Sequence, residues 1–330
     1  MPSSGRCGSD RYARRSSRVV AIVRLPPAVA DALRDGRPVV ALESSVLAQG
    51  LPAPANRDAA ERMVRAVSSR GAVPAITAVV RGVATAGLEE AELERFLRRE
   101  GIGKVSARDL PMAIARGTDG ATTVAAAIAI AAQAGIEVFA TGGIGGVHRA
   151  SSGVTYDESA DLVELARTPV LVVSAGAKSI LDVPATLERL ETLGVPLIGY
   201  RASEMPGFLT VETGLPLPAR AETVKEVAAA WRAHRELGRT SAMLVVQPPP
   251  ADVALPRRAV EDAVENALRV AESEGVQGGA LTPFLLAAVE RETAGRSLGA
   301  NLALLEANAM LAAEIAAVLA PGPRPEAHSG

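Results

Sequence analysis

Six short, nearly unbroken apolar runs set the limits on what this chain can fold into: Val39–Leu42, Ala75–Val80, Val138–Ala140, Val170–Val173, Leu197–Tyr200 and Met243–Val246. They are rich in β-branched residues and do not alternate with polar ones, the pattern of strands buried on both faces. Stretches of helical spacing lie between them, at 58–69, 89–99, 184–193, 222–237 and 281–319, the last broken near Gly295 and Gly299. Val260, Ala263, Val264, Ala267, Leu268 and Ala271 recur at three and four residues and make one apolar stripe. This alternation predicts an α/β protein: a three-layer α/β/α sandwich with a mostly parallel central sheet, in a single domain. The domain is placed at 26–320, between tails at 1–25 and 321–330 read as disordered.

Composition narrows the class. Hydrophobic residues make up 48% of the chain and aromatics 2%, so Ala, Val, Leu and Ile must build the core. That excludes the aromatic platforms on which single-stranded nucleic acids stack. Lys plus Arg is 35 and Asp plus Glu is 37, a net charge of 35 − 37 = −2, which speaks against a nucleic-acid partner. The single cysteine, Cys7, permits neither an intramolecular disulfide nor a cysteine zinc site, which fits a reducing, cytoplasmic compartment. The uncharged stretch 120–136 falls short of the roughly 20 apolar residues that span a bilayer, so no membrane partner is expected.

In a parallel sheet, ligands sit outside the carboxyl ends of the strands. Those ends are polar here. Glu43-Ser44-Ser45 follows the first run, Thr141-Gly142-Gly143-Ile144-Gly145-Gly146-Val147-His148 the third, and Ser174-Ala175-Gly176-Ala177-Lys178-Ser179 the fourth. A lysine among small residues just past a buried strand suits a tight pocket, where a desolvated amine adds to carbonyl carbon; the alternative for Lys178 is a surface lysine capping a turn. Glu43 reads as a general acid or base, or as a structural carboxylate on loop amides. The glycine run reads as an anion cradle or as a tight corner. Asp157, Glu158 and Asp161 lie near His148 in sequence and offer hard oxygen ligands for Mg²⁺ or Mn²⁺, or form a solvated loop. Lys104 in Gly103-Lys104-Val105-Ser106 sits at an expected strand start, as a phosphate partner or a surface cation. Together these residues favour an enzyme of sugar phosphates that works through a lysine imine.

Longer motifs carry a resemblance. Ala41-Leu42-Glu43-Ser44, Gly120-Ala121-Thr122-Thr123-Val124, Thr141 through Arg149, Ser159-Ala160-Asp161-Leu162, Ala175-Gly176-Ala177-Lys178-Ser179 and Thr282-Pro283-Phe284-Leu285-Leu286 are similar, in order, to the pseudouridine-5′-phosphate glycosidase family, which includes indigoidine synthase A-like proteins. The resemblance covers residues 26–318 or so. It implies reversible cleavage of the C–C glycosidic bond of pseudouridine 5′-phosphate to uracil and ribose 5-phosphate. It implies one divalent metal per subunit, typically Mn²⁺, and a homotrimer. Lys178 matches the nucleophile that attacks C1′, Glu43 the proton donor, and Asp157 the metal-bound position. Lys104, Val124, Ser159, Ala160 and Asp161 match substrate-contacting positions. Thr141, His148 and Asn301 fall in motifs bordering the site, Thr141 near the phosphate. Gln49 stands where the family commonly has His and Ser45 where it commonly has Thr, and the loop between His148 and Asp161 is one residue longer. Two other readings use the same residues: a class I aldolase-like lyase acting on another phosphosugar, and a non-catalytic metabolite-binding protein.

Overall fold

The structure, a computed structural model, describes residues 23–149, 157–276 and 281–322. Of the tails read at 1–25 and 321–330, residues 1–22, with Cys7, and 323–330 lie outside the described residues, as does Tyr156 beside the acidic segment. Its strands are β1 (Val23–Arg24), β2 (Val39–Leu42), β3 (Val73–Val80), β4 (Val83–Ala86), β5 (Gly103–Val105), β6 (Gly120–Thr122), β7 (Val138–Ala140), β8 (Val147–His148), β9 (Leu171–Ser174), β10 (Leu181–Asp182), β11 (Leu197–Tyr200), β12 (Arg220–Ala221) and β13 (Met243–Val246). Its helices are α1 (Pro27–Arg34), α2 (Ala55–Ser69), α3 (Glu90–Arg98), α4 (Leu110–Ala115), α5 (Val124–Gln133), α6 (Ala160–Arg167), α7 (Val183–Thr192), α8 (Val224–Glu236), α9 (Arg257–Ser273), α10 (Leu281–Glu292) and α11 (Arg296–Leu319). All six apolar runs are strands. The last helical stretch breaks at Gly295, in the left-handed conformation at φ 77°, and runs unbroken through Gly299.

The main sheet runs β1-β4-β3-β2-β7-β9-β13-β11-β12 and is largely parallel. It is mixed at one end, where β3 pairs antiparallel with both β4 and β6. The length of β3 explains this fork. Its first half, Val73–Ile76, is parallel to β2, and its second half continues past the end of β2 to hold β4 and β6. β6 in turn carries β5 parallel to it, with Lys104 opposite Ala121. β1 joins β4 at Val23–Arg24, so the sheet begins inside the segment read as an N-terminal tail.

The helices α2, α8 and α11 pack together, and α11 lies against β2, β7 and β9. By length and apolar composition α11 could cross a membrane. Here it is a core helix, with Ala300, Leu304, Leu305, Ala309, Ala312 and Ile315 buried against the sheet and its neighbours. The helix α5 pairs with α6 and packs on β2, β3 and β7. It buries Val124 through Ile128, Ile130 and Ala131, so almost no face of it is left to water.

Register places the site. Leu42 pairs with Ala140 and Ala140 with Val173, so β2, β7 and β9 end side by side. Glu43 and Thr141, the next residues of β2 and β7, lie level with Ser174, the last residue of β9, at the carboxyl edge of the sheet.

Candidate active site

The three loops that leave β2, β7 and β9 are fastened to one another. Ser44 Oγ donates to the Thr77 carbonyl at 2.7 Å and accepts from the Thr122 amide at 2.9 Å, which pins the first loop to β3 and β6. The Ile144 amide donates to the Gly176 carbonyl and the Lys178 amide to the Ile144 carbonyl, at 3.0 and 3.1 Å. Gly176 has φ 88°, and a Cβ there would lie 2.7 Å from the Pro206 carbonyl; only glycine lets the chain turn so tightly before Lys178.

Between these loops lies a cleft of two lobes. Glu43, Ser45, Lys104, Lys178 and Thr282 line both. One lobe is polar: it is lined by Ser106, Thr123, Val124, Ser159, Ala160 and Asp161, at the N-termini of α5 and α6. The other is more apolar, with Val46, Phe208, Pro283 and Leu286 around the side chains of Gln49 and Asn301. Lys178 and Glu43 therefore stand where the lobes meet.

Glu43 is buried, and each of its oxygens accepts a hydroxyl: Oε2 from Ser45 Oγ and Oε1 from Thr141 Oγ1, both at 2.5 Å. Lys104 is exposed as a residue, yet it lines both lobes. Protein atoms packed about its ammonium, and next the charge of Lys178, hold its pKa below the ordinary lysine value, while Glu43 and Asp161 pull it upward. Lys104 sits on a short strand, β5, that reaches the site because β6 carries it there.

The glycine run differs from the anion cradle read in the sequence. None of Gly142, Gly143, Gly145 or Gly146 has positive φ. A Cβ on Gly143 would strike the Phe208 ring, on Gly145 Ser159 Oγ and Cβ, and on Gly146 the Thr186 side chain. The run is glycine because other elements press against it. Three of its amides are also engaged: Thr141 N donates to the Val173 carbonyl, Ile144 N to Gly176 and Gly145 N to Asp161 Oδ2. Thr141 points its hydroxyl at Glu43 and holds that carboxylate. The end of the cleft whose helix dipoles favour an anion is the polar lobe. There two helix N-termini converge, and Thr123 Oγ1 is buried without a hydrogen-bond partner. Sequence reading passed over Thr123, although a Thr directly before an apolar helix is an N-cap signal. Phe208 was also missed. It belongs to no regular element, and nothing in the sequence marks it.

The acidic cluster comes apart in the structure. Glu158 pairs with Arg189 at 3.0 Å. Asp161 is buried and accepts the amides of Ala125 at 2.9 Å and Gly145 at 2.8 Å, which locks the start of α5 and the glycine loop onto α6. Asp157 alone remains for a cation: its side chain is 42% exposed, and Oδ2 meets His148 Nδ1 at 2.6 Å. Among the described residues no group of three His, Cys, Asp or Glu side chains comes together. This donor set does not fit a cage built wholly of protein. It does fit a hard divalent ion held through one carboxylate, with water completing the shell. Asn301 borders the apolar lobe, its Oδ1 buried and without a hydrogen-bond partner.

A carboxylate and two lysines at the carboxyl edge of a parallel sheet, beside two helix N-termini, are the features of an α/β enzyme with a small-molecule substrate. The family follows from comparison: residues 28–318 match the model of the indigoidine synthase A like protein family, and the chain belongs to that family. It is 60% identical over 299 residues to the pseudouridine-5′-phosphate glycosidase of Gemmatimonas aurantiaca, covering 91% of this chain and 97% of that one. It is 51% identical over 295 residues to the protein of the same name from Herpetosiphon aurantiacus, covering 89% and 97%. Among solved structures, the prealnumycin C-glycosynthase AlnA in complex with ribulose 5-phosphate superposes with TM-score 0.83 at 40% identity, over 90% of this chain and 97% of that one. An indigoidine synthase A-like protein from Thermotoga maritima superposes with TM-score 0.81 at 38% identity, over 89% and 95%.

Proposed function

We propose that this chain is a pseudouridine-5′-phosphate glycosidase, which reversibly cleaves the C–C bond between ribose and base to give ribose 5-phosphate and uracil. The observation that carries the reading is the placement of Lys178 and Glu43 where a polar, anion-binding lobe meets an apolar one. A phosphorylated pentose with a flat base attached at C1′ needs that shape: phosphate at the helix N-termini beside Lys104, base against Phe208 and Leu286, C1′ between. Relatives named for this activity at 51% and 60% identity support it, and the neighbour solved with ribulose 5-phosphate supports a five-carbon sugar phosphate as ligand.

The bond to be broken dictates the chemistry. A carbon–carbon glycosidic bond has no heteroatom leaving group at C1′, so the two-carboxylate route of ordinary glycosidases does not serve. The Lys178 amine attacks C1′ and the furanose opens. The nitrogen pair then drives departure of the base and leaves an imine at C1′ that water hydrolyses. The Glu43 carboxyl supplies the proton that opens the ring and returns protons to the base. Lys104 and the two helix N-termini hold the phosphate, so binding energy from the remote end aligns C1′ with Lys178. Asp157, oriented by His148, would hold a Mn²⁺ ion, whose charge would order water and substrate oxygens at the rim of the polar lobe. A homotrimer in the cytoplasm is the assembly and compartment that go with this reading.

The test is turnover. Purified enzyme with Mn²⁺ and pseudouridine 5′-phosphate should release uracil, and uracil with ribose 5-phosphate should give pseudouridine 5′-phosphate back. Absence of both reactions, with turnover of a different phosphosugar, would refute the assignment.

A further inference from the structure

We propose that the hydroxyl of Ser45, and not the Glu43 carboxyl directly, delivers the proton that opens the sugar ring. The inference rests on the glycosidase reading above and adds a catalytic residue to it.

The local chain explains why these two side chains act as a pair. Ser44, between them, is locked by hydrogen bonds to Thr77 and Thr122, so residues 43 and 45 are held on either side of a fixed point. Ser45 then opens into a single π-helical turn, Val46–Gly50, a rare conformation that clusters at functional sites. Both oxygens of Glu43 are occupied, by Ser45 Oγ and Thr141 Oγ1 at 2.5 Å each. With a hydroxyl oxygen 2.5 Å from each of them, a proton carried on Oε2 lies in the hydrogen bond to Ser45 Oγ. Of the two hydroxyls, Thr141 is 1% exposed, and only Ser45 lines the cleft, in both lobes and beside Lys104 and Lys178. Glu43 lines the cleft as well, and the hydroxyl that can pass its proton to a bound sugar there is Ser45 Oγ.

The step balances as follows. With Glu43 protonated, Oε2–H donates to Ser45 Oγ, and the serine O–H turns to the ring oxygen O4′. Lys178 Nζ forms its bond to C1′ while the C1′–O4′ bond breaks, its electron pair remaining on O4′. O4′ takes the Ser45 proton and Ser45 Oγ takes the Glu43 proton. Glu43 ends as a carboxylate, the lysine nitrogen carries the positive charge, and Ser45 is unchanged.

Two protons therefore move in one step. In single-turnover cleavage of pseudouridine 5′-phosphate by the unaltered enzyme, the rate plotted against the deuterium fraction of the solvent should bow downward; a straight line would overturn the relay. Ser45→Ala should slow this step by roughly a hundredfold, the scale of one general acid, with KM changed little. Ser45→Thr, which keeps the hydroxyl, should stay within about fivefold of the parent. An S45A enzyme within threefold of the parent, or S45T as slow as S45A, would contradict the proposal. Borohydride trapping of ribose 5-phosphate separates this claim from the one beneath it, because the open-chain aldehyde needs no ring opening. The S45A enzyme should still form the adduct. Loss of the adduct in S45A alone would make Ser45 a structural support and overturn the relay, whereas its absence in the parent would defeat the imine reading itself.

Discussion

Asp161, in the first turn of α6, accepts the Gly145 amide at 2.8 Å with one carboxylate oxygen and the Ala125 amide at 2.9 Å with the other. One buried side chain thus fixes the glycine loop, the start of α5 and the start of α6, three walls of the polar lobe. Asp161→Ala would leave both amides without an acceptor. At about 1–3 kcal/mol for each orphaned donor, urea unfolding should show a loss of roughly 2–6 kcal/mol. A loss below about 1 kcal/mol would mean the carboxylate does not hold these elements together.

Lys104 should trade stability for binding. Folding lowers its pKa, first through burial and then through Lys178. Between the folded value and the ordinary lysine value, the unfolded chain holds more protons than the folded one, so this residue makes stability rise with pH through that window. Below it, the ammonium is a cost to folding that is fully present. Lys104→Met should therefore raise Tm at pH 7 and weaken the alkaline gain, while raising KM for phosphorylated substrate at least about tenfold and leaving that for the free nucleoside alone. A lower Tm in this variant, or an equal rise in both KM values, would contradict the role.

The glycine loop should tolerate no side chain. A Cβ on Gly145 overlaps Ser159 Oγ, and a Cβ on Gly146 overlaps Thr186. Gly145→Ala should cost about 1–3 kcal/mol of stability and most of the activity, because Ser159 lines the polar lobe. Calorimetry and initial rates on the same preparation check both effects; an active, parent-like G145A would show that the loop has room to move.

Among the described residues, metal dependence should pass through Asp157 and His148. Chelation should abolish turnover and Mn²⁺ should restore it. His148→Ala, which removes the 2.6 Å partner of Asp157, should raise the half-saturating Mn²⁺ about 10- to 100-fold. Asp157→Ala should raise it further, and full turnover of a metal-stripped parent would end this assignment.

How much was legible in the sequence follows from what each feature depends on. The six main strands announced themselves because burial on both faces forces continuous apolar runs. The two-residue β1 carries no such signal, and α5 shows no stripe because nearly every side is covered. Glu43 and Lys178 were legible as residues next to strand ends. The cluster at 157–161 misled because neighbours in sequence point to separate partners once one pairs with His148, one pairs with Arg189 and one enters a helix. The glycine run misled because a glycine needed for contact looks the same in sequence as one needed for positive φ. That distinction depends on Phe208, Ser159 and Thr186, which are distant in the chain.

The central claim is that Lys178 is the nucleophile. Borohydride added to enzyme with ribose 5-phosphate should reduce an imine and attach one sugar phosphate irreversibly, and mass mapping should place it on the peptide containing Lys178. Lys178→Arg should retain the charge but lose both adduct and turnover, because a guanidinium does not act as an amine nucleophile. An adduct on Lys104 or any other lysine, or near-parental turnover in Lys178→Arg, would contradict the account.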